Sequence, residues 1–181
     1  CMTYLGDGAV NQGQVYESFN MSALWKLPVV FIIENNKYGM GTSVTRASAG
    51  RSLAERGKAY GIPGMEVDGM NVLSVRQAGK EALDYTRKGK GPYILEMKTY
   101  RYRGHSMSDP AKYRTRSEVD AVRQQKDSIE SLKETLQENN IKDDQLKSID
   151  GEIKSIVSEA SEFAEQSSLP DKKELMTDVY L

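Results

Sequence analysis

The chain has 181 residues, of which 38% are apolar and 28% charged, with a formal net charge of −1. That is enough for one domain with a substantial core, and nothing in the composition signals disorder. The longest apolar runs are far too short to span a bilayer, and no signal-peptide pattern opens the chain. A single cysteine, Cys1, excludes an internal disulfide framework and gives no support to a structural zinc site. The reading is a protein of a reducing, soluble compartment.

The first apolar run, residues 2–5, leads straight into the turn Gly6-Asp7-Gly8. Val15, Phe19, Ala23 and Leu27 then recur at four-residue steps, one apolar face of a helix over residues 14–27. Pro28 closes that helix and opens a strand over residues 29–33, followed by Glu34-Asn35-Asn36-Lys37-Tyr38. A glycine-containing loop runs on to about residue 50, and residues 52–60 read as a short helix ended by Gly61 and Pro63. Residues 65–69 form a short strand and turn. Asn71 is placed to cap the next helix, in which Val75, Ala78, Ala82 and Tyr85 share a face. After a Gly- and Lys-rich break, residues 93–100 form a further strand. The order β-α-β-α-β-α-β implies an α/β fold, a parallel sheet in three α/β/α layers.

Residues 103–116 have almost no apolar side chains and read as a long functional loop. Between Lys88 and Arg116 eight Lys or Arg stand against Glu96 and Asp109, a balance of +6 in an otherwise acidic chain. Such a segment suits an anionic small ligand better than nucleic acid. Residues 117–136 and then a helix carrying Leu146, Ile149, Ile153, Ile156, Ala160 and Phe163 predict a helical hairpin packed on itself or on the domain. The expected organisation is therefore an α/β domain over 1–116 and a helical hairpin with its tail over 117–181.

The chemistry converges on Asp7 and Asn36. In a βαβ unit both lie just past the carboxyl ends of two parallel strands, where open α/β sheets bind ligands. If the strands are neighbours, about 4.8 Å apart, one carboxylate oxygen and one amide oxygen can share a small hard cation. The Tyr38 main-chain carbonyl is a plausible third ligand. Mg²⁺ favours such a set, with phosphate oxygens and water completing six ligands. Gly6 and Gly8 keep side chains out of the turn where a phosphate would approach, and the following helix is expected to aim its first N–H groups at that phosphate. A Gly-Asp-Gly turn alone is weak as a signal, and so is an Asn-Asn pair. Their pairing across one βαβ unit is more specific.

These residues resemble the thiamine-diphosphate signature. The strings GDGAVNQGQVYESFNMSALWKLP, ENNKYGMGTSV and YRYRGHSMSDP are similar to the alpha subunits of the pyruvate dehydrogenase E1 family, thiamine-diphosphate-dependent 2-oxo acid dehydrogenases, and the tail Thr177-Asp178-Val179-Tyr180 to bacterial members. The resemblance implies that Asp7, Asn36 and the Tyr38 carbonyl bind Mg²⁺. It implies that Gly6, Gly8, Ala9 and Asn36 lie at the diphosphate and that His105, the only histidine, reaches it from its cationic loop. It further implies a beta subunit completing the site in an α2β2 assembly, a lipoyl-bearing E2 acetyltransferase, and a 2-oxo acid as substrate. No nucleic acid or membrane partner is implied. The amino-terminal part of the usual subunit is expected to be missing, and the chain to be inactive without the beta subunit. A cytoplasmic location is expected for a bacterial member and the mitochondrial matrix for a eukaryotic one. Acetoin or branched-chain 2-oxo acid dehydrogenase subunits would present the same corner. A nucleotide-binding or non-catalytic interaction module is the alternative of a different class, although no Gly-x-x-x-x-Gly-Lys-Ser/Thr loop is present.

Overall fold

The computed structural model describes residues 1–50 and 52–179, with the backbone alone at residues 125 and 126. Tyr180, in the tail motif, lies outside the described residues. The first strand, β1 (Met2–Gly6), is followed by a single 3₁₀ turn at Ala9–Asn11 and then by helix α1 (Gly13–Leu24). Strand β2 (Val30–Asn35) comes next, then a small hairpin of β3 (Tyr38–Gly39) and β4 (Thr42–Ser43), and a single turn, α2 (Val44–Ala47). A 3₁₀ segment at Ala54–Tyr60 precedes β5 (Gly64–Asp68), α3 (Val72–Arg87) and β6 (Tyr93–Lys98). Beyond the basic loop lie α4 (Arg116–Lys126), α5 (Ser128–Glu138) and α6 (Asp143–Gln166).

Four strands form one wholly parallel sheet in the order β1-β2-β6-β5. The two central strands, β2 and β6, are apolar on both faces because each face is covered, as a parallel sheet requires. One face packs Phe31, Ile33 and Ile94 against Val10 and Phe19 and against Leu53, Ala54 and Ile62. The other packs Val30, Ile32, Leu95 and Met97 against Ala78 and Ala82 of α3. The result is the three-layer α/β/α arrangement expected from the order of elements. Asn71 caps α3 as expected, its side chain accepting from the Ser74 N–H at 3.0 Å.

Phe19 anchors the α1 face. It is fully buried and meets Phe31 edge-on with ring centroids 4.8 Å apart, with Tyr16 and Tyr60 on its flanks. Phe19→Ala is expected to cost about 3–5 kcal/mol, read as a fall in the urea midpoint. A shift of under about 1 kcal/mol would mean that α1 is not fastened to the sheet through this ring.

The chain divides into two compact units, Cys1–Leu132 and Lys133–Leu181. Two expectations about helix ends are corrected. Helix α1 stops at Leu24 rather than running to residue 27, because Lys26 takes a left-handed φ of 50°. The helix expected over residues 117–136 is two helices, separated at Asp127, whose extended backbone and side chain cap α5 by accepting from the Ile129 and Glu130 N–H groups. Within the second unit, α6 is amphipathic and none of its residues is buried. Among the described residues no helix is long and apolar enough to cross a membrane.

Candidate functional site

Because β1 and β2 are hydrogen-bonded neighbours with Gly6 opposite Glu34, Asp7 and the Asn35-Asn36 pair leave the sheet side by side at its carboxyl edge. The loop after β2 folds back through two side-chain turns. Asn35 Oδ1 accepts from the Lys37 N–H at 3.1 Å, and Asn36 Oδ1 from the Tyr38 N–H at 3.4 Å. Lys37 and Met40 adopt left-handed φ values of 73° and 54°, and the hairpin is tied down by the Val44 N–H donating to the Lys37 carbonyl at 2.9 Å.

This folded-back loop lies directly on the Gly-Asp-Gly turn. A Cβ on Gly39 would sit 3.3 Å from the Gly8 Cα and 3.8 Å from Asp7 Oδ2, and one on Gly8 would sit 3.4 Å from the Gly39 Cα. Gly8 has an ordinary right-handed conformation, so its lack of a side chain serves this backbone-to-backbone approach rather than an unusual φ. Among the described residues other than its chain neighbours, none has an atom within 4 Å of a Cβ placed on Gly6. Ala9 opens the 3₁₀ turn, not a helix. Gln12 is extended, and α1 begins at Gly13, one residue before the expected start at Gln14.

Asp7 is buried, with 3% of its surface exposed. Burial pushes its carboxyl above the ordinary aspartate value, opposed by its own N–H, by the Arg101 charge and by the Asn36 N–H. A buried carboxylate only partly compensated by its neighbours is what a bound cation would complete. Asp7, the Asn36 amide and the Tyr38 carbonyl offer one negative charge and oxygen donors, the hard set that suits Mg²⁺ bound together with phosphate. No group of three His, Cys, Asp or Glu that could hold a metal occurs among the described residues.

Arg101 joins this corner to the basic loop, and sequence reading missed it. Its guanidinium donates to the Tyr38 carbonyl at 3.2 Å, to the Met40 carbonyl and to the Tyr113 hydroxyl at 2.8 Å, and meets His105 Nδ1 at 3.3 Å. A guanidinium can only donate, so in this contact His105 Nδ1 is the acceptor. Just past the end of β6, Arg101 looked like one more charge in a solvated basic run. Its only sequence signal was adjacency to Tyr100 and Tyr102.

Asp109 folds the loop around His105. It accepts from the His105 N–H at 2.7 Å, the Ala111 N–H at 2.8 Å and the Tyr113 hydroxyl at 2.9 Å. A Cβ on Gly104 would lie 2.5 Å from the Asp109 carbonyl oxygen, so this neck admits only glycine. Arg114 closes the far side, donating to the Arg101 and Arg103 carbonyls and standing over the Tyr100 ring at 5.3 Å. Tyr100 in turn donates to Glu118 Oε1 at 2.8 Å. Its hydroxyl is pushed up to about 12, chiefly by burial and then by that carboxylate.

The N–H groups of His105 and Ala111 hold the Asp109 carboxyl below its ordinary value, outweighing a small desolvation cost. A depressed acid stabilises the folded loop above the unfolded value of 3.8 and loses that contribution as pH falls through its lower folded value. The loop is therefore expected to stay ordered from neutral pH down to that range and to open below it. Asp109→Asn is expected to remove this acid limb and to speed amide exchange at residues 105 and 111 already at neutral pH. Unchanged exchange at both amides would show that Asp109 does not hold the loop.

Together these features make an α/β protein with a wholly parallel sheet, oxygen donors gathered at its carboxyl edge and a cationic loop beside them. The chain belongs to the dehydrogenase E1 component family, whose model matches residues 1–173. It is 56% identical over 181 residues to the pyruvate dehydrogenase E1 component subunit alpha of Rhizobium meliloti, covering 99% of this chain and 52% of that protein. It is 54% identical over 176 residues to the same subunit of Zymomonas mobilis, covering 97% of this chain and 50% of the relative. It is also 52% identical over 183 residues to the mitochondrial subunit of Dictyostelium discoideum, covering 48% of that protein. The chain thus spans about half the length of the curated relatives it matches.

Proposed function

We propose that this chain carries the diphosphate- and Mg²⁺-anchoring corner of a pyruvate dehydrogenase E1 alpha subunit. One observation carries the reading. A buried carboxylate, Asp7, ends β1 directly against the Asn36–Tyr38 loop of the neighbouring strand, in a chain of the E1 family. Asp7, Asn36 Oδ1 and the Tyr38 carbonyl would hold the cation, while Gly6, Gly8, Ala9 and Asn36 would flank the diphosphate. His105 would donate to a diphosphate oxygen. When bound, thiamine diphosphate supplies the carbanion and the electron sink for decarboxylating a 2-oxo acid, and the protein supplies placement and electrostatics. Pyruvate is favoured over acetoin and branched-chain substrates by the names of the relatives.

The same reading gives the chain a beta-subunit partner in an α2β2 assembly, a lipoyl-bearing E2 acceptor of the acetyl group, and the 1–116 and 117–181 organisation. It places the protein after glycolysis, in the cytoplasm of a bacterium or the matrix of a mitochondrion. Calorimetry of the chain reconstituted with a beta subunit tests it. Magnesium-dependent heat with thiamine diphosphate is expected, and it is expected to vanish in Asp7→Ala. Heat that is independent of magnesium, or unchanged in the variant, would overturn the reading.

A further inference from the structure

Glu96 is a fully buried carboxyl group in the centre of the sheet, and the cation corner makes no direct use of it. Each oxygen meets donors. Oε1 accepts from Asn35 Nδ2 at 2.7 Å, while Oε2 accepts from the Leu53 N–H at 2.7 Å, the Ala54 N–H at 3.0 Å and the Ser52 hydroxyl at 3.3 Å. Asn35 is buried too, and its own amide oxygen accepts the Lys37 N–H at 3.1 Å. The two ends of that amide thus face partners of opposite kind.

We infer that Glu96 is a positioning residue for the cation loop, acting through the orientation of the Asn35 amide. An acceptor at Glu96 Oε1 forces the Asn35 NH₂ inward and its oxygen outward. The outward oxygen holds the Lys37 N–H, and with it the left-handed Lys37 turn that carries Asn36 on one side and the Tyr38 carbonyl on the other. Reversing the amide would set its NH₂ against the Lys37 N–H, two donors face to face, and the turn would lose its lock. This inference rests on the functional reading above for what the loop ligates, but not for how the loop is held.

A reciprocal exchange of groups tests it. In Glu96→Gln, the new amide oxygen must stay with the donors at residues 52–54, so its NH₂ faces Asn35 and turns that amide over. In Asn35→Asp, two carboxylates face each other. The double variant Glu96→Gln, Asn35→Asp restores a donor opposite an acceptor. There the introduced glutamine donates from its NH₂ to one oxygen of the introduced aspartate, whose other oxygen accepts from the Lys37 N–H. Every hydrogen bond is then remade with the total charge unchanged. Amide exchange across residues 35–39 is expected to quicken about tenfold in each single variant and to return to the parental rate in the double variant. In the chain reconstituted with the beta subunit, Mn²⁺ affinity is expected to fall about 10–100-fold in the single variants and to recover in the double. Exchange at 35–39 that is unchanged in Glu96→Gln, or a double variant as impaired as the singles combined, would overturn the inference. Parental protein that binds no Mn²⁺ would count against the metal reading alone, and the exchange pattern would still decide the role of Glu96.

Discussion

Asp7→Asn is expected to abolish divalent-cation binding and, at the same time, to make the cation-free chain harder to unfold at pH 7. The two effects share one cause. Asp7 is buried, and its carboxyl is held above the ordinary aspartate value mainly by desolvation, with its own N–H, Arg101 and the Asn36 N–H compensating only in part. An acid whose folded value is raised costs stability at any pH where it is ionised, and the cost disappears as pH falls below the folded value. Asparagine keeps an oxygen that can accept the same N–H groups while removing the buried charge. Its stabilisation should therefore be present at pH 7 and should shrink as the solution is acidified and wild-type Asp7 takes up its proton. Cation binding loses the Asp7 carboxylate. Unit charges in contact attract by about 4 kcal/mol at an effective dielectric of 20, so a loss of at least about a hundredfold is expected. Urea midpoints of the two proteins from neutral to acid pH, with and without Mn²⁺, measure both effects. A variant less stable than wild type in the absence of metal would mean that the Asp7 carboxylate is fully satisfied by its protein neighbours and is not held ready for a cation.

The corner was legible because its parts are local. Apolar runs on both sides of a four-step helical pattern identified β1, α1 and β2. Neighbouring parallel strands joined by one crossover then put Asp7 beside Asn36 without any long-range information. Asn71 was legible for the same reason, since a cap answers an N–H only a few residues away. What escaped depends on residues far apart in the chain. Arg101 is defined by carbonyls at Tyr38 and Met40, and Glu96 by Asn35 and the 52–54 segment, partners that no spacing rule connects. Sequence alone showed Glu96 as a charge in an apolar strand; only the β2–β6 pairing shows that it faces an amide across the sheet. The hairpin of β3 and β4 was hidden by its size, because two-residue strands of Tyr-Gly and Thr-Ser carry no periodicity. The break at Asp127 was hidden because the apolar spacing continues on both sides of it.

Replacing Arg101 should unfasten the basic loop from the cation corner, and two substitutions separate the roles of shape and charge. The guanidinium bonds two carbonyls on one loop and a hydroxyl and an imidazole on the other, so its planar fork bridges them. Arg101→Lys keeps a positive charge near Asp7 but offers a single ammonium that cannot span those four acceptors. Arg101→Gln removes the charge as well. Loss of the fork alone should free residues 103–116, so that trypsin cuts at Arg103 and Arg114 in both variants at concentrations that leave the parental loop intact. The charge acts separately on Asp7. Arg101 lowers the Asp7 carboxyl, so removing it must raise that carboxyl further and move the onset of cation binding to higher pH in Arg101→Gln, while Arg101→Lys keeps the parental onset. His105 would also lose its contact with the guanidinium, so diphosphate affinity is expected to fall about 10–100-fold in both variants even at saturating Mg²⁺. A lysine variant with parental proteolysis and parental diphosphate affinity would show that the site needs only a positive charge there, and that the bridging fork has no part in joining His105 to the metal loop.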